Sequence, residues 1–244
     1  MNPALTLATT RRILLQLRHD PRTVVMLILV PTLLMILLRY VFNSTLVFSR
    51  VAPALLGVFP FLIMFLIASI TTLRERTTAT LERLMTLPIG RLDLLFGYAL
   101  AFGSIAVVQV ALAAGVSLWW LGLDLAGSVV MLLVIAVLDA LLGMALGLFV
   151  SAFARTEFQA IQFMPVFVLP QILLCGLFVP REEMGWLLRW LSEVMPLSYA
   201  VEALTRVTAS STVDAVILRN LVVVACCALL ALVLGAATLR RRTP

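Results

Sequence analysis

Residues 74–91 read RERTTATLERLMTLPIGR and carry Arg74, Glu75, Arg76, Glu82, Arg83 and Arg91 between two long apolar runs. The run before them, 54–73, holds no charge, and the run after them, 93–118, holds only Asp93 at its start. Apolar stretches of roughly 20 residues cross a bilayer as helices, because hydrocarbon offers no partner for backbone N–H and C=O groups. A stretch this polar has no place in hydrocarbon. The pattern predicts two membrane helices joined by a short charged helix lying at the membrane surface, where a soluble partner could push on it.

The same reading extends along the chain. Of 244 residues, 63% are hydrophobic and 12% are charged, against about 25% charged in a soluble domain. The apolar runs are continuous and do not alternate, which disfavours strands. The expected fold is all-α: a polytopic membrane protein with six transmembrane helices forming one domain over 1–244, at about 23–41, 54–73, 93–118, 126–150, 158–179 and 215–239.

Charge sets the orientation. Every basic residue is arginine, and with a cytoplasmic N-terminus 12 of the 18 fall on the inner side. The positive-inside rule then places both termini in the cytoplasm and the protein in the cell's inner membrane, as a multi-pass protein. The net charge of +6 is a matter of topology and of contact with anionic lipid in the bilayer, not of nucleic-acid binding. A phosphate-binding Walker A loop needs a lysine and a glycine-rich turn, and the chain has neither. It therefore holds no cofactor of its own, and any ATP and Mg belong to another polypeptide. Cys175, Cys226 and Cys227 fall inside predicted spans, an odd set without disulfide or metal-ligand spacing. The first apolar run is too long for a signal-peptide core and is expected to be retained.

Ahead of the first span, residues 4–18 alternate Leu5, Leu7, Ile13, Leu14 and Leu17 with Arg11, Arg12 and Arg18, the pattern of an amphipathic helix in the membrane interface. Asp20-Pro21 reads as an N-cap and first helical residue, and Pro31 predicts a kink in the first span. The links VFNSTLVFSRVAP and WWLGLDLAG are short, and Trp119 and Trp120 suit an aromatic belt. In the outer segment 180–214, Met184, Leu187, Leu188, Leu191 and Met195 share one face, Pro196 breaks the run, and a second short helix follows.

Within 74–91, Leu81, Leu84 and Met85 form an apolar stripe, while Glu75 and Glu82, and Arg76 and Arg83, repeat seven residues apart. Pro88 ends the helix. The stretch resembles the marker segment of ABC type-2 exporter permeases, which reads loosely RERE-x-GTLE-x-L-x-x-x-P. Arg74, Glu75, Arg76, Thr80, Leu81, Glu82, Leu84 and Pro88 carry the match, and Thr77-Thr78-Ala79 depart from it where the family usually has a glycine. MPLSYAVEALTRV at 195–207 is similar to the family's second marker through Pro196, Tyr199, Glu202, Ala203, Leu204 and Arg206. The nearest branch is the drug-resistance type represented by daunorubicin exporters.

The resemblance implies roles. Residues 74–87, with Arg74, Glu75, Arg76, Leu81, Glu82, Arg83, Leu84 and Met85, would form the coupling helix that docks on a separate ABC ATPase present in two copies. The interface helix, with Arg11, Arg12, Leu14 and Arg18, would add to that dock. A second permease copy, identical or not, would complete the exporter, and the second and fifth spans would line the path. The chain itself would be a non-catalytic subunit that moves an amphiphilic drug, antibiotic or lipid outward.

Asp139 is the one acid deep inside a predicted span. An intramembrane charge is a functional candidate, either as a cationic-substrate or proton site or as a hydrogen-bonded acid between helices. Ala136, Ala140, Gly143 and Gly147 near it form a small-residue stripe suited to close packing. In the fifth span, Pro165 and Pro170 predict a bend, and Gln162 and Gln171 are further pathway candidates. His19 stands alone, and the spans hold no Ser/His/Asp set, metal cluster or carboxylate dyad. The residues also allow a proton- or cation-coupled secondary transporter built on Asp139, or a membrane scaffold that transports nothing.

Overall fold

A computed structural model describes residues 3–77 and 90–238, with all side chains except those of Arg91 and Leu92. Among these residues the secondary structure is helical, without strands. The helices are α1 (Pro3–Arg18), α2 (Pro21–Phe42), α3 (Thr45–Thr77), α4 (Arg91–Trp119), α5 (Val129–Val150), α6 (Glu157–Leu174), α7 (Trp186–Val194), α8 (Pro196–Ala209) and α9 (Ala215–Ala237), with one 3-10 turn at Arg181–Glu183. Six of them, α2 to α6 and α9, are long and apolar enough to cross a membrane. They correspond one to one with the six expected spans.

Local chemistry explains several boundaries. Asp20 caps α2: its carboxylate accepts from the Thr23 amide at 3.3 Å and from the Thr23 hydroxyl at 2.6 Å, with Pro21 at the first helical position. Thr156 and Asp214 cap α6 and α9 in the same way, accepting from the Gln159 and Ile217 amides. The fifth span ends at Leu174, five residues before the expected 179. Gly176 follows with φ +93°, a left-handed conformation that glycine takes without a Cβ penalty and that a continuing helix cannot contain.

The second span differs most from expectation. It was expected over 54–73, after a loop. Instead α3 runs unbroken for 33 residues from Thr45 to Thr77. Asn43 in the left-handed region ends α2, and the Ser44 hydroxyl accepts from the Val47 amide to start α3 at once. Polar residues such as Ser49 and Arg50 resemble a loop in sequence, yet here they ride on helix that projects beyond the hydrocarbon. At 1.5 Å per residue, 33 residues reach about 50 Å, well past a core of about 30 Å. Pro53 and Pro60 both lie within this helix.

The centre of the bundle is the α3–α5 contact, with α9 also packed on α5 and α1 laid against α4. The small-residue stripe produces that contact. A Cβ added to Gly143 would strike the Phe61 carbonyl, and one added to Gly147 would strike the Phe65 carbonyl. Glycine at these positions lets two helix backbones touch, which is how helices gain attraction in lipid without a hydrophobic driving force. At the turn after α4, Trp119 and Trp120 are 91% and 66% exposed, as an interfacial belt requires. Segment 180–214 forms two short helices, and α8 buries Leu197, Ala200, Val201, Leu204 and Val207 against the spans.

Candidate functional site

Polar groups concentrate at the arginine-rich end, where α1, the end of α3 and the start of α6 meet. Neighbouring residues on α3 point to opposite partners. Arg74 Nε donates to Glu157 Oε1 at 2.6 Å and Nη2 to Oε2 at 3.0 Å, joining α3 to the first residue of α6. Glu75 is buried and faces the other way, with Arg12 Nη1 of α1 at 3.3 Å from its Oε1. Arg76 is half-buried with its Nε unpartnered among the described residues. The last turn of the second span is thus fastened to the interface helix on one side and to the fifth span on the other.

This arrangement corrects one expectation. A separate surface helix cannot begin at 74, because Arg74, Glu75 and Arg76 complete α3. The ion pairs hold that last turn in register with the span, which sequence spacing could not reveal. Leu81, Glu82, Arg83, Leu84 and Met85 lie outside the described residues.

The interface helix is present as Pro3–Arg18, but its buried face is Thr6, Thr9, Ile13 and Leu17. Leu7 and Leu14 are exposed, as are Arg11 and Arg18. The reason lies across the contact. Gly97 of α4 leaves room for Thr9, the Thr10 hydroxyl donates to the Gly97 carbonyl at 3.3 Å, and the Thr6 hydroxyl donates to Asp93 at 3.4 Å. Threonines thus set the face that α1 turns to the third span.

Between α1, α2 and α3 the same end holds a half-open cleft of about 530 Å³, which sequence reasoning missed. Asp20 stands at its mouth. The two hydrogen bonds from Thr23 hold its carboxyl below the usual aspartate range.

The pathway candidates separate. Asp139 is fully enclosed, and neither of its oxygens has a hydrogen-bond partner among the described residues. It sits where α5 meets α3 and α8: a Cβ on Gly57 would lie 3.1 Å from Asp139 Oδ2 and 2.9 Å from Leu204 Cδ1. Gln171 is buried, its amide donating to the Phe167 carbonyl at 3.0 Å while its Oε1 has no partner among the described residues. Gln162 is exposed on the outer face of α6. The structure does not bring these three into one site.

At the opposite end, Glu202 of α8 gathers three arginines. Arg181 Nη1 lies 3.0 Å from Oε2, Arg206 Nε 3.1 Å from Oε1, and Arg219 Nη2 3.9 Å from Oε2. Arg206 also reaches Asp214, the cap of α9, at 3.0 Å. Only the Glu202–Arg206 spacing of four residues was visible in sequence as a helical pair; Arg181, Asp214 and Arg219 arrive from other elements.

Residues 4–208 match the family model described as ABC-2 type transporter. Among curated proteins, the chain is similar to the probable multidrug ABC transporter permease YbhR of Escherichia coli, with 28% identity over 147 residues, covering 59% of this chain and 40% of the relative. It is similar to the probable multidrug ABC transporter permease YbhS of the same organism, with 26% identity over 184 residues, 75% of this chain and 49% of the relative. The linearmycin resistance permease protein LnrN of Bacillus subtilis is 26% identical over 140 residues, 57% of this chain and 36% of the relative. The chain thus spans less than half the length of each of these relatives.

Proposed function

This chain belongs to the ABC-2 type transporter family, and from that membership we propose that it is the membrane half of an ATP-driven exporter of amphiphilic drugs, antibiotics or lipids. The names of its relatives, which speak of multidrug transport and of antibiotic resistance, favour that cargo. ATP and Mg are held by a separate ATPase in two copies, and a second permease copy, identical or different, completes the assembly. The arginine-rich end faces the cytoplasm of a cell whose inner membrane holds the protein, in keeping with the positive-inside rule.

The observation that carries the reading is the double fastening of the last turn of α3. Residues 78–89 leave that turn directly, so a push on them is delivered to Arg74 and Glu75. Arg74 passes it to the fifth span through Glu157, and Glu75 passes it to the interface helix through Arg12. Closure of the ATPase dimer would then shift packed helices between two discrete arrangements. The permease makes and breaks no covalent bond. Asp139, reached when α3 and α5 separate, and Gln171 of α6 remain its pathway candidates, and Gln162 borders the lipid or the second copy.

Co-expression with a partner ATPase tests the reading. Glu82→Arg should insert in the membrane at the wild-type level and lose the ATPase on purification. Uptake of cargo into inverted vesicles should need ATP and ignore collapse of the proton gradient. Intact co-purification of the Glu82→Arg protein, or uptake that follows the proton gradient, would defeat the proposal.

A further inference from the structure

Of the six spans, α6 is the least buried and the least apolar. It packs on α3, α7 and α8 and leaves its other side open. That open side carries Phe158, Gln162, Pro165 and Leu169, all exposed and spaced four, three and four residues apart. Such spacing keeps one stripe on a helix and forms the seam of two helices that cross at a small angle.

Gln162 is the polar member of this stripe, and its setting differs from that of the other amides in the spans. Gln109, Gln171 and Asn220 are buried. Gln159 is half-buried near the start of α6, where its Oε1 accepts from the Arg155 amide at 2.9 Å. Gln162 is exposed and makes no hydrogen bond among the described residues. It stands five residues beyond Glu157, about 7 Å into the helix at 1.5 Å per residue. The 18 residues of α6 reach about 27 Å, no more than a hydrocarbon core of about 30 Å. The helix therefore has no length to spare for lifting this amide into water.

An amide without a partner in hydrocarbon costs free energy, and lipid tails offer it neither donor nor acceptor. A second copy of the chain offers both. Copies inserted under the same positive-inside rule share one orientation. A two-fold axis along the membrane normal then brings equal depths together. Each Gln162 meets its own counterpart, and a glutamine amide both donates and accepts, so it pairs with its like.

We propose that α6 of a second, identical chain covers this stripe, with the two Gln162 side chains hydrogen-bonded across the two-fold axis. The proposal rests on the reading that a second permease completes the assembly, and it names that chain and its contact. Pairing requires neither ATP nor cargo, so the two fail separately.

The test uses the full chain. The photocrosslinker p-benzoylphenylalanine, placed at Val166 or Leu169 in native membranes, leaves Gln162 intact and should give a band of twice the chain's mass. The same probe at Leu229 or Val233 of α9, or at Leu33 or Leu37 of α2, should not. In phosphatidylcholine liposomes, the dimer fraction counted by single-molecule photobleaching should fall on dilution. Gln162→Leu should raise the dissociation constant by about three- to thirty-fold, the worth of an interhelical hydrogen bond in lipid, and Gln162→Asn should recover part of that loss. Equal crosslinking from α9 and α2, or none from 166 and 169, overturns the interface. A crosslink from 166 and 169 only to a chain of another mass overturns the identical partner. An unchanged dissociation constant in Gln162→Leu overturns the amide contact. A homodimer through α6 without ATP-driven transport would instead count against the exporter reading and leave the interface in place.

Discussion

Arg74 and Glu157, 83 positions apart, form a two-point ion pair of 2.6 and 3.0 Å between the end of the second span and the start of the fifth. Both side chains are about half exposed, at 59% and 48%. Exposed pairs contribute up to about 1 kcal/mol, so the value of this one lies in where it sits. It ties a span directly to the turn from which residues 78–89 emerge.

Glu157→Gln and Arg74→Gln should therefore shift the melting temperature little and reduce ATP-driven export several-fold. The charge-reversed double variant, Arg74→Glu with Glu157→Arg, should recover much of the export. Vesicle efflux and thermal unfolding measured on the same preparations separate the two effects. Wild-type export in both single variants would show that motion reaches the fifth span by another route.

Gly143 and Gly147 hold the central contact, so side chains there should separate α3 from α5. Gly143→Leu forces a branched chain against the Phe61 carbonyl, and overpacking typically costs about 1–3 kcal/mol even where neighbours can move. A backbone carbonyl in a packed helix moves less readily than a side chain. We expect low folded yield for Gly143→Leu and Gly147→Leu. Gly185→Ala, whose Cβ would meet nothing within 4 Å, should behave as wild type. Size-exclusion profiles and melting temperatures in detergent decide; a normal Gly143→Leu protein would mean that the α3–α5 contact is looser than drawn.

The six spans and the glycine stripe were legible because both are periodic. Length in apolar residues sets a span, and a four-residue repeat of small residues sets a face. The continuation of α3 to both sides was hidden because its polar ends resemble other elements: Ser49 and Arg50 look like loop at one end, and Arg74, Glu75 and Arg76 look like the start of a separate surface helix at the other. The ion pairs were hidden for a different reason. Arg12 and Glu75 are 63 residues apart, and nothing in their local pattern states which helices will be neighbours. The face that α1 turns to α4 was hidden in the same way: Thr6 bonds to Asp93 and Thr9 fits against Gly97, contacts that the amphipathic pattern of α1 does not state.

Glu202 gives a prediction at the opposite end. It serves Arg181, Arg206 and Arg219 at once, and Arg181 is the most enclosed of the three. Glu202→Gln removes the charge and leaves a partly buried guanidinium without its carboxylate, a loss of about 1–3 kcal/mol. The outer hairpin should loosen from α9, seen as faster proteolysis at 181–195 and a lower melting temperature. Arg189→Ala breaks only the exposed pair with Glu193 at 3.8 Å and should change neither. Equal effects of the two variants would reduce the Glu202 cluster to surface decoration.

Asp139 sets stability against function. Its carboxyl is enclosed by three helices and unsatisfied among the described residues. A buried polar group without a partner is destabilising, and its replacement by an apolar group of similar size is neutral or stabilising. Asp139→Leu should therefore melt at the same temperature as the wild type or above it. If the acid meets cargo when α3 and α5 part, the same variant should export a cationic amphiphile several-fold more slowly and a neutral one at the wild-type rate. Asp139→Asn, which keeps the shape and cannot ionise when cargo arrives, should share that selectivity. A lower melting temperature in both variants would reveal a polar partner for the carboxyl. Unchanged export of both cargoes would assign Asp139 to helix packing, because a group in the path of a cation cannot lose its charge without the cation's rate recording it.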